Sequence, residues 1–321
     1  MLLTYLLLFL MIFLWGFSFI AVDIAMDFVP PLSIALYRLM IAAISMTIID
    51  WYLRKRKKNN KPMTYSLIEG EDENSNKHYW LFIFLASLAG VSLYLFIIYS
   101  AIDLIGPSMP VFSDCLINPI LITIIALVVF NEKLSKKKII GFAIASFGAF
   151  LLITGGNLGV LQPTSPNFLG YVLSLLAPLS WTSYTIVIKK LKKFNRLKSD
   201  FQNLKNISVF GCLELFLLVI FSNQFDVFLN NILNVVVFLC ALYLALGAFV
   251  ICYYIWNFSL KKLKSSNVAS FLYLQPFLTL ILSIVFQRDD VIGLWNIIGG
   301  IVVMIAIMII NYKKQILTNI L

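Results

Sequence analysis

The sequence predicts an all-α membrane protein. Ten transmembrane helices form two inverted five-helix repeats, with both termini on the cytoplasmic side. Three observations predict this. The 321-residue chain is 61% hydrophobic and 12% charged, with a mean hydropathy of +0.93, whereas a soluble domain carries about a quarter charged residues. The basic residues collect in alternate loops. The two halves of the chain echo each other.

A hydrocarbon core about 30 Å thick needs about 20 apolar helical residues. Windows of that kind fall at 2–24, 31–53, 79–101, 108–130, 138–154, 168–188, 206–222, 235–258, 267–286 and 292–311. Each must be helical, because an open strand edge is not tolerated in lipid. The first has no basic n-region and no cleavage site, so it reads as a retained span. All but two of the 25 Lys and Arg residues follow even-numbered spans, in the segments 54–77, 133–138, 189–205, 261–264 and 313–314. Only Arg38, inside the second span, and Arg288 fall elsewhere. The positive-inside rule then places both termini in the cytoplasm. One missed or invented span would destroy this alternation, so it also supports the count of ten. The net charge of +10 is thereby a topology signal, and a nucleic-acid surface is not expected. The polar stretch within 54–78 reads as a cytoplasmic loop, too poor in apolar residues to pack.

Cys115, Cys212, Cys240 and Cys252 lie in apolar runs without C-x-x-C spacing and read as small packing residues. His78 is the single histidine. A metal site or a His-based triad therefore has no ligand set to build on. No phosphate-binding glycine loop, paired catalytic carboxylates or nucleophile elbow occurs. The sequence thus predicts neither an enzyme nor a metal or cofactor.

The halves repeat one another. NPILITIIALVVFNEKLSKKKIIG (118–141) resembles QPFLTLILSIVFQRDDVIGLWNIIG (275–299). Both open on an amide and a proline, run apolar to an acid, and reach a glycine nine residues later, Glu132 to Gly141 and Asp290 to Gly299. WGFSFIAVDI (15–24) has an echo in LSWTSYTIVI (179–188). The boundary falls near Gly155-Gly156, giving repeats 1–154 and 155–321, with a turn-rich outer loop at 162–166. Five spans is an odd number, so the second repeat is upside down relative to the first. Such inverted repeats build many secondary transporters, whose sites lie near the midplane between repeats.

These residues resemble the drug/metabolite transporter superfamily, EamA type. The resemblance rests on Trp15-Gly16, on Pro31 with Arg38, and on Tyr99-Ser100-Ala101. It also rests on Pro119 with Asn131-Glu132-Lys133-Leu134, on Gly141 and Gly148, on Trp181 and Tyr184, and on Pro276. It covers nearly the whole chain. Asn131 stands where the family usually has glycine, and Gln287 to Asp290 degrade the second copy of that motif. The resemblance implies a carrier that moves small metabolites by alternating access, often as an exporter.

Within the spans a few polar residues stand out. An acid at a helix centre costs about 2.5–3.5 kcal/mol on insertion scales, so Asp114 should face the bundle interior. Asn118 shares its face one turn later, with Ser113 nearby. Pro110 and Pro119 each remove a backbone donor, and Pro119 frees the Cys115 carbonyl, so Pro110, Pro119 and Pro276 are expected helix breaks. Asp114 reads either as a substrate or proton site, or as half of a buried ion pair that fixes packing. Arg38 is its expected partner. Glu214 in span seven has no evident partner; it reads either as a proton carrier or as a group facing a watery vestibule. Trp15, Trp181 and Tyr184 sit at repeat-related positions, and Tyr94 lies in span three; each reads as cavity wall, packing or interface belt. Gln275 before Pro276 mirrors Asn118 before Pro119.

The expected function is transport of small organic metabolites, amino acids or related solutes, by export or exchange across the cytoplasmic membrane. The expected partners are the solute, the lipid bilayer and protons as coupling ion. A nucleotide-sugar or sugar-phosphate antiporter is the alternative, disfavoured because Arg38 is the single embedded cation. A membrane enzyme or lipid flippase is the alternative of another class.

Overall fold

The computed structural model describes residues 2–59, 73–130, 135–154, 168–194, 199–287 and 294–311. The expected features at Asn131–Leu134, Gly155-Gly156, 162–166, Arg288–Asp290 and the basic tail lie outside them. Among the described residues all regular structure is helical.

The chain runs α1 (Leu2–Met26), α2 (Pro31–Asn59), α3 (Glu73–Ser87), a π-helical turn (Leu88–Ser92) and α4 (Leu93–Ile105). Then come α5 (Ser108–Phe130), α6 (Lys136–Thr154), α7 (Phe168–Phe194), α8 (Asp200–Phe221) and the short α9 (Phe225–Asn231). A second π-helical stretch (Leu244–Ile251) joins α10 (Val235–Tyr243) to α11 (Cys252–Lys262). A 3₁₀ turn (Ser270–Leu274) joins α12 (Ser265–Ala269) to α13 (Gln275–Val285), and α14 (Leu294–Asn311) follows.

Among the described residues, seven helical stretches are long and apolar enough to cross a membrane: Leu2–Met26, Pro31–Leu53, Lys77–Ile105, Phe168–Leu191, Asp200–Phe221, Val235–Lys262 and Ser265–Leu282. Ile139–Gly148 and Ile297–Ile310 are shorter apolar helices. Helix also extends into the expected 54–78 loop from both sides, to Asn59 and from Glu73, because its Lys, Arg and Glu are good helix formers.

Helix ends follow local chemistry. Pro31 opens α2, where its missing N–H costs nothing. Ser199 and Gln202 form a reciprocal capping box at α8. The Asn234 side chain accepts from the Val236 and Val237 amides at the start of α10. Gly106, at φ 75°, ends α4; a side chain there would be strained.

The surface is inverted relative to a soluble protein. Large apolar side chains such as Leu213 and Leu217 of α8 and Met308 of α14 are exposed, while Arg38, Asp114, Asn118 and Gln275 are buried. Lipid covers such an apolar exterior without cost. Packing recurs in related pairs. α4 packs on α7, and α11 on α1; α5 packs on α7, and α13 on α1. α2 pairs with α8, and α6 with α14. The α6–α14 seam is close because Gly141 and Gly148 admit Ile310 and Val302: a Cβ on either glycine would come within 2.8 Å of those side chains.

The π-helical stretches were not expected. Widening to an i→i+5 pattern disturbs the carbonyl ladder, and side chains from other helices serve the carbonyls there. Ser180 Oγ donates to the Ala89 carbonyl at 2.6 Å, and Tyr253 OH to that of Gly90 at 2.7 Å. Trp15 Nε1 donates to the Ala248 carbonyl at 2.8 Å.

Candidate functional site

The amphipathic residues buried by this packing meet at one pocket inside the helix bundle. α1 contributes Trp15, α2 Arg38, α4 Tyr94 and Tyr99, α5 Asp114 and Asn118, α7 Trp181, α11 Tyr253 and α13 Gln275.

A chain of hydrogen bonds fixes the acid. Tyr94 OH donates to Asp114 Oδ2. Asn118 Nδ2 donates to Asp114 Oδ1 at 3.1 Å. Thr182 Oγ1 donates to the Asn118 carbonyl oxygen at 3.2 Å and so sets which way that amide points. The Asn118 bond is the one-turn pairing that the sequence implies. Both carboxylate oxygens accept a bond and retain lone pairs for another.

Arg38 sits apart from that acid. Its guanidinium donates to Tyr99 OH and lies 6.0 Å from the Tyr99 ring centroid. Its Nε is buried without a hydrogen-bond partner. The expected direct ion pair with Asp114 does not form: the two groups bond instead to different tyrosines of α4. Compatible depth in two spans does not bring side chains within reach when a third helix stands between them.

Aromatic rings build the rest of the wall. Trp15 meets Trp181 edge to face, ring centroids 5.4 Å apart. Trp181 also contacts Tyr94 at 5.3 Å and Tyr253 at 5.1 Å. Trp256 backs both tryptophans. These edge-to-face and tilted contacts suit aromatic quadrupoles and leave a rigid apolar surface beside two charges.

With that geometry in place, comparison with known proteins is decisive. The EamA-like transporter family matches residues 2–154 and 168–312. The chain belongs to the EamA-like transporter family. It is 24% identical over 314 residues to an uncharacterized transporter of Archaeoglobus fulgidus, spanning 97% of this chain and 98% of that one. It is 22% identical over 302 residues to a probable amino-acid metabolite efflux pump of Escherichia coli, spanning 94% of this chain and 92% of the relative. A solved crystal structure superimposes with a TM-score of 0.67 over 96% of each chain, at 18% identity, and so shares the fold. This EamA-like protein is therefore a multi-pass membrane protein of a transporter family.

Seven of the nine side chains singled out in its sequence line the cavity: Trp15, Arg38, Tyr94, Asp114, Asn118, Trp181 and Gln275. Two do not. Tyr184 is fully buried against Gly90 and accepts from the Asn257 amide at 3.0 Å, so it is a packing residue between α7, α11 and the first π turn. Glu214 lies on the seam between α8 and that turn. It has partners the sequence did not suggest: Ser87 Oγ at 2.6 Å on Oε1, and Ser92 Oγ on Oε2.

The prolines divide likewise. The expected breaks at Pro110 and Pro119 do not occur: Pro119 is buried inside a continuous α5 and Pro110 in its first turn, where a missing N–H costs nothing, whereas Pro276 starts α13 directly after the 3₁₀ break. Sequence reasoning missed Tyr99, Tyr253 and Thr182. Tyr99 was legible as the third tyrosine of span three; Thr182 carried no signal, since hydroxyls are common in spans. Among the described residues no group of three or more His, Cys, Asp or Glu residues could hold a metal.

Proposed function

We propose that the protein moves small organic metabolites, amino acids or related solutes, by export or exchange through alternating access. The cavity carries this reading: it gathers repeat-related residues, Trp15 with Trp181 and Asn118 with Gln275, around two opposite charges. Transporters built from inverted repeats place their sites at that junction. The exchange of partners between α1 and α7, α4 and α11, and α5 and α13 supports two five-helix halves, 1–154 and 155–321, in inverted orientation. The distribution of basic loops supports ten spans with both termini in the cytoplasm, and the family resemblance supports residence in the cytoplasmic membrane. The efflux role in the name of the Escherichia coli relative supports export of amino-acid metabolites.

A phosphorylated solute fits less well. Arg38 is the single cation among the described residues lining the cavity, and a phosphate carries up to two negative charges. Glu214 stands outside the cavity, and proton coupling is assigned to it rather than to Asp114.

The test is uptake into proteoliposomes of radiolabelled amino acids, nucleosides and sugar phosphates, with and without an imposed pH gradient, for wild type and Asp114→Asn. One solute class taken up by wild type and lost in the folded variant is expected. No uptake of any class would sink the reading; uptake indifferent to Asp114 would make Asp114 a packing residue and move the site to the aromatic wall.

A further inference from the structure

The cavity wall carries one basic and one acidic side chain, Arg38 and Asp114, and they do not bond to each other directly. Arg38 is 4% exposed and Asp114 6% exposed. Among the described residues no carboxylate lies within 4.0 Å of the Arg38 guanidinium. A membrane-embedded guanidinium is costly. This one is satisfied only through Tyr99, and its buried Nε is left unpartnered at the cavity wall.

We infer that the cavity reads a free α-amino acid by both of its charges at once, Arg38 receiving the carboxylate and Asp114 the ammonium. This inference rests on the transport reading above and narrows it. A guanidinium is a fork of donors that matches a carboxylate, and its Nε is the donor left over. Asp114 offers the complementary acceptor, with one lone pair on each oxygen already fixed by Tyr94 and Asn118. The rings of Tyr94 and Trp181 lie beside it, and aromatic faces attract an ammonium group.

Electroneutrality supplies the selectivity. A zwitterion compensates both wall charges, whereas an amine or a carboxylic acid compensates one and leaves the other buried and unpaired, which is heavily penalised. Phe19, Val22, Leu95, Ile98 and Leu272 line much of the remainder, beside Ser18 and Gln275, so an apolar side chain has a wall to pack on.

The experiment uses the full-length protein in proteoliposomes preloaded with L-leucine. Entry of labelled L-leucine by counterflow is competed with leucine, with its decarboxylated amine (isoamylamine) and with its deaminated acid (4-methylpentanoate). In wild type, leucine competes better than either analogue by at least about tenfold, the scale of a hydrogen bond to a charged group. Arg38→Gln erases the preference over the amine alone, and Asp114→Asn the preference over the acid alone. The wild-type comparison stands even if a variant fails to fold. Either analogue competing within about twofold of leucine overturns the inference and leaves the transport reading intact. Loss of both preferences together in each folded variant also overturns it, since that marks a general packing role. Uptake of nucleosides or sugar phosphates without leucine counterflow overturns the inference alone; no uptake of anything overturns the transport reading with it.

Discussion

Asp114 and Glu214 are both acids in the middle of apolar spans, yet they are built into different machinery. Asp114 faces the cavity, with a tyrosine hydroxyl and an amide on its carboxylate and five more aromatic side chains within the same wall. Glu214 is half-buried on α8, between neighbours Leu213 and Leu217 that face lipid, and two serines of span three hold it. Both serines flank or end the π turn at Leu88–Ser92. A solute in the cavity can touch the first acid and not the second. A change in the distance between α8 and span three alters the second and spares the first. On the proposed reading the same residue class, at a similar cost of insertion, serves recognition in one place and proton coupling in the other.

The largest expected effect separates the two directly. Asp114→Asn lowers counterflow kcat/KM by about a hundredfold, the scale of roughly 3 kcal/mol for a hydrogen bond to a charged group. Glu214→Gln leaves counterflow at equal internal and external pH within about threefold, and removes any stimulation by an imposed pH gradient. Initial rates in proteoliposomes decide it. Equal losses in the two variants would erase the distinction.

Next comes the turn that stands between them. A Cβ on Gly90 would lie 2.2 Å from Tyr184 Cδ2 and 2.7 Å from Tyr184 Cβ. The Tyr184 ring is fully buried, so it cannot swing away. Gly90→Ala is expected to destabilise the protein by about 1–3 kcal/mol, the usual range for overpacking, read as a lowered Tm in detergent. Because the Gly90 carbonyl also accepts from Tyr253 of the cavity wall, transport falls along with stability. A normal Tm would show that the turn yields, and would weaken the claim that it separates two rigid environments.

These outcomes bear on how much could be read before the structure was known. Membrane residence and most of the cavity wall were legible, because burying Arg38, Asp114, Asn118 or Gln275 in lipid is so costly that each must find the interior. Repeat-related positions added Trp15 and Trp181, which do meet. Partnerships were not legible. Which tyrosine Arg38 bonds, or that Glu214 finds Ser87 and Ser92, depends on helix rotation and on a π turn. A π turn shifts register by one residue without any break in hydropathy. Tyr184 shared the repeat signal of Trp181 yet points to Gly90, because three residues along a helix is not quite a full turn.

The serines give a smaller effect that sharpens the contrast. Ser87→Ala and Ser92→Ala each leave one Glu214 oxygen without its donor, at a cost of about 1–2 kcal/mol in a half-buried site. Tm should fall for each, with Asp114-dependent substrate selectivity unchanged. A shift in the leucine-to-amine preference would tie the two acids into one network.

The smallest effect lies inside the cavity. Thr182→Val keeps shape but removes the donor that fixes the Asn118 amide. With that bond gone, Asn118 turns more freely and presents its NH₂ to Asp114 for less of the time. A hydrogen bond between neutral groups is worth about 1 kcal/mol, so KM for leucine should rise about threefold to fivefold with kcat little changed. The same substitution in an Asp114→Asn background should do almost nothing, since the carboxylate that Asn118 orients is no longer there. A double-mutant cycle measures this coupling. Additive losses would mean that Thr182 acts through α5–α7 packing instead, and that the carboxylate is positioned by Tyr94 alone.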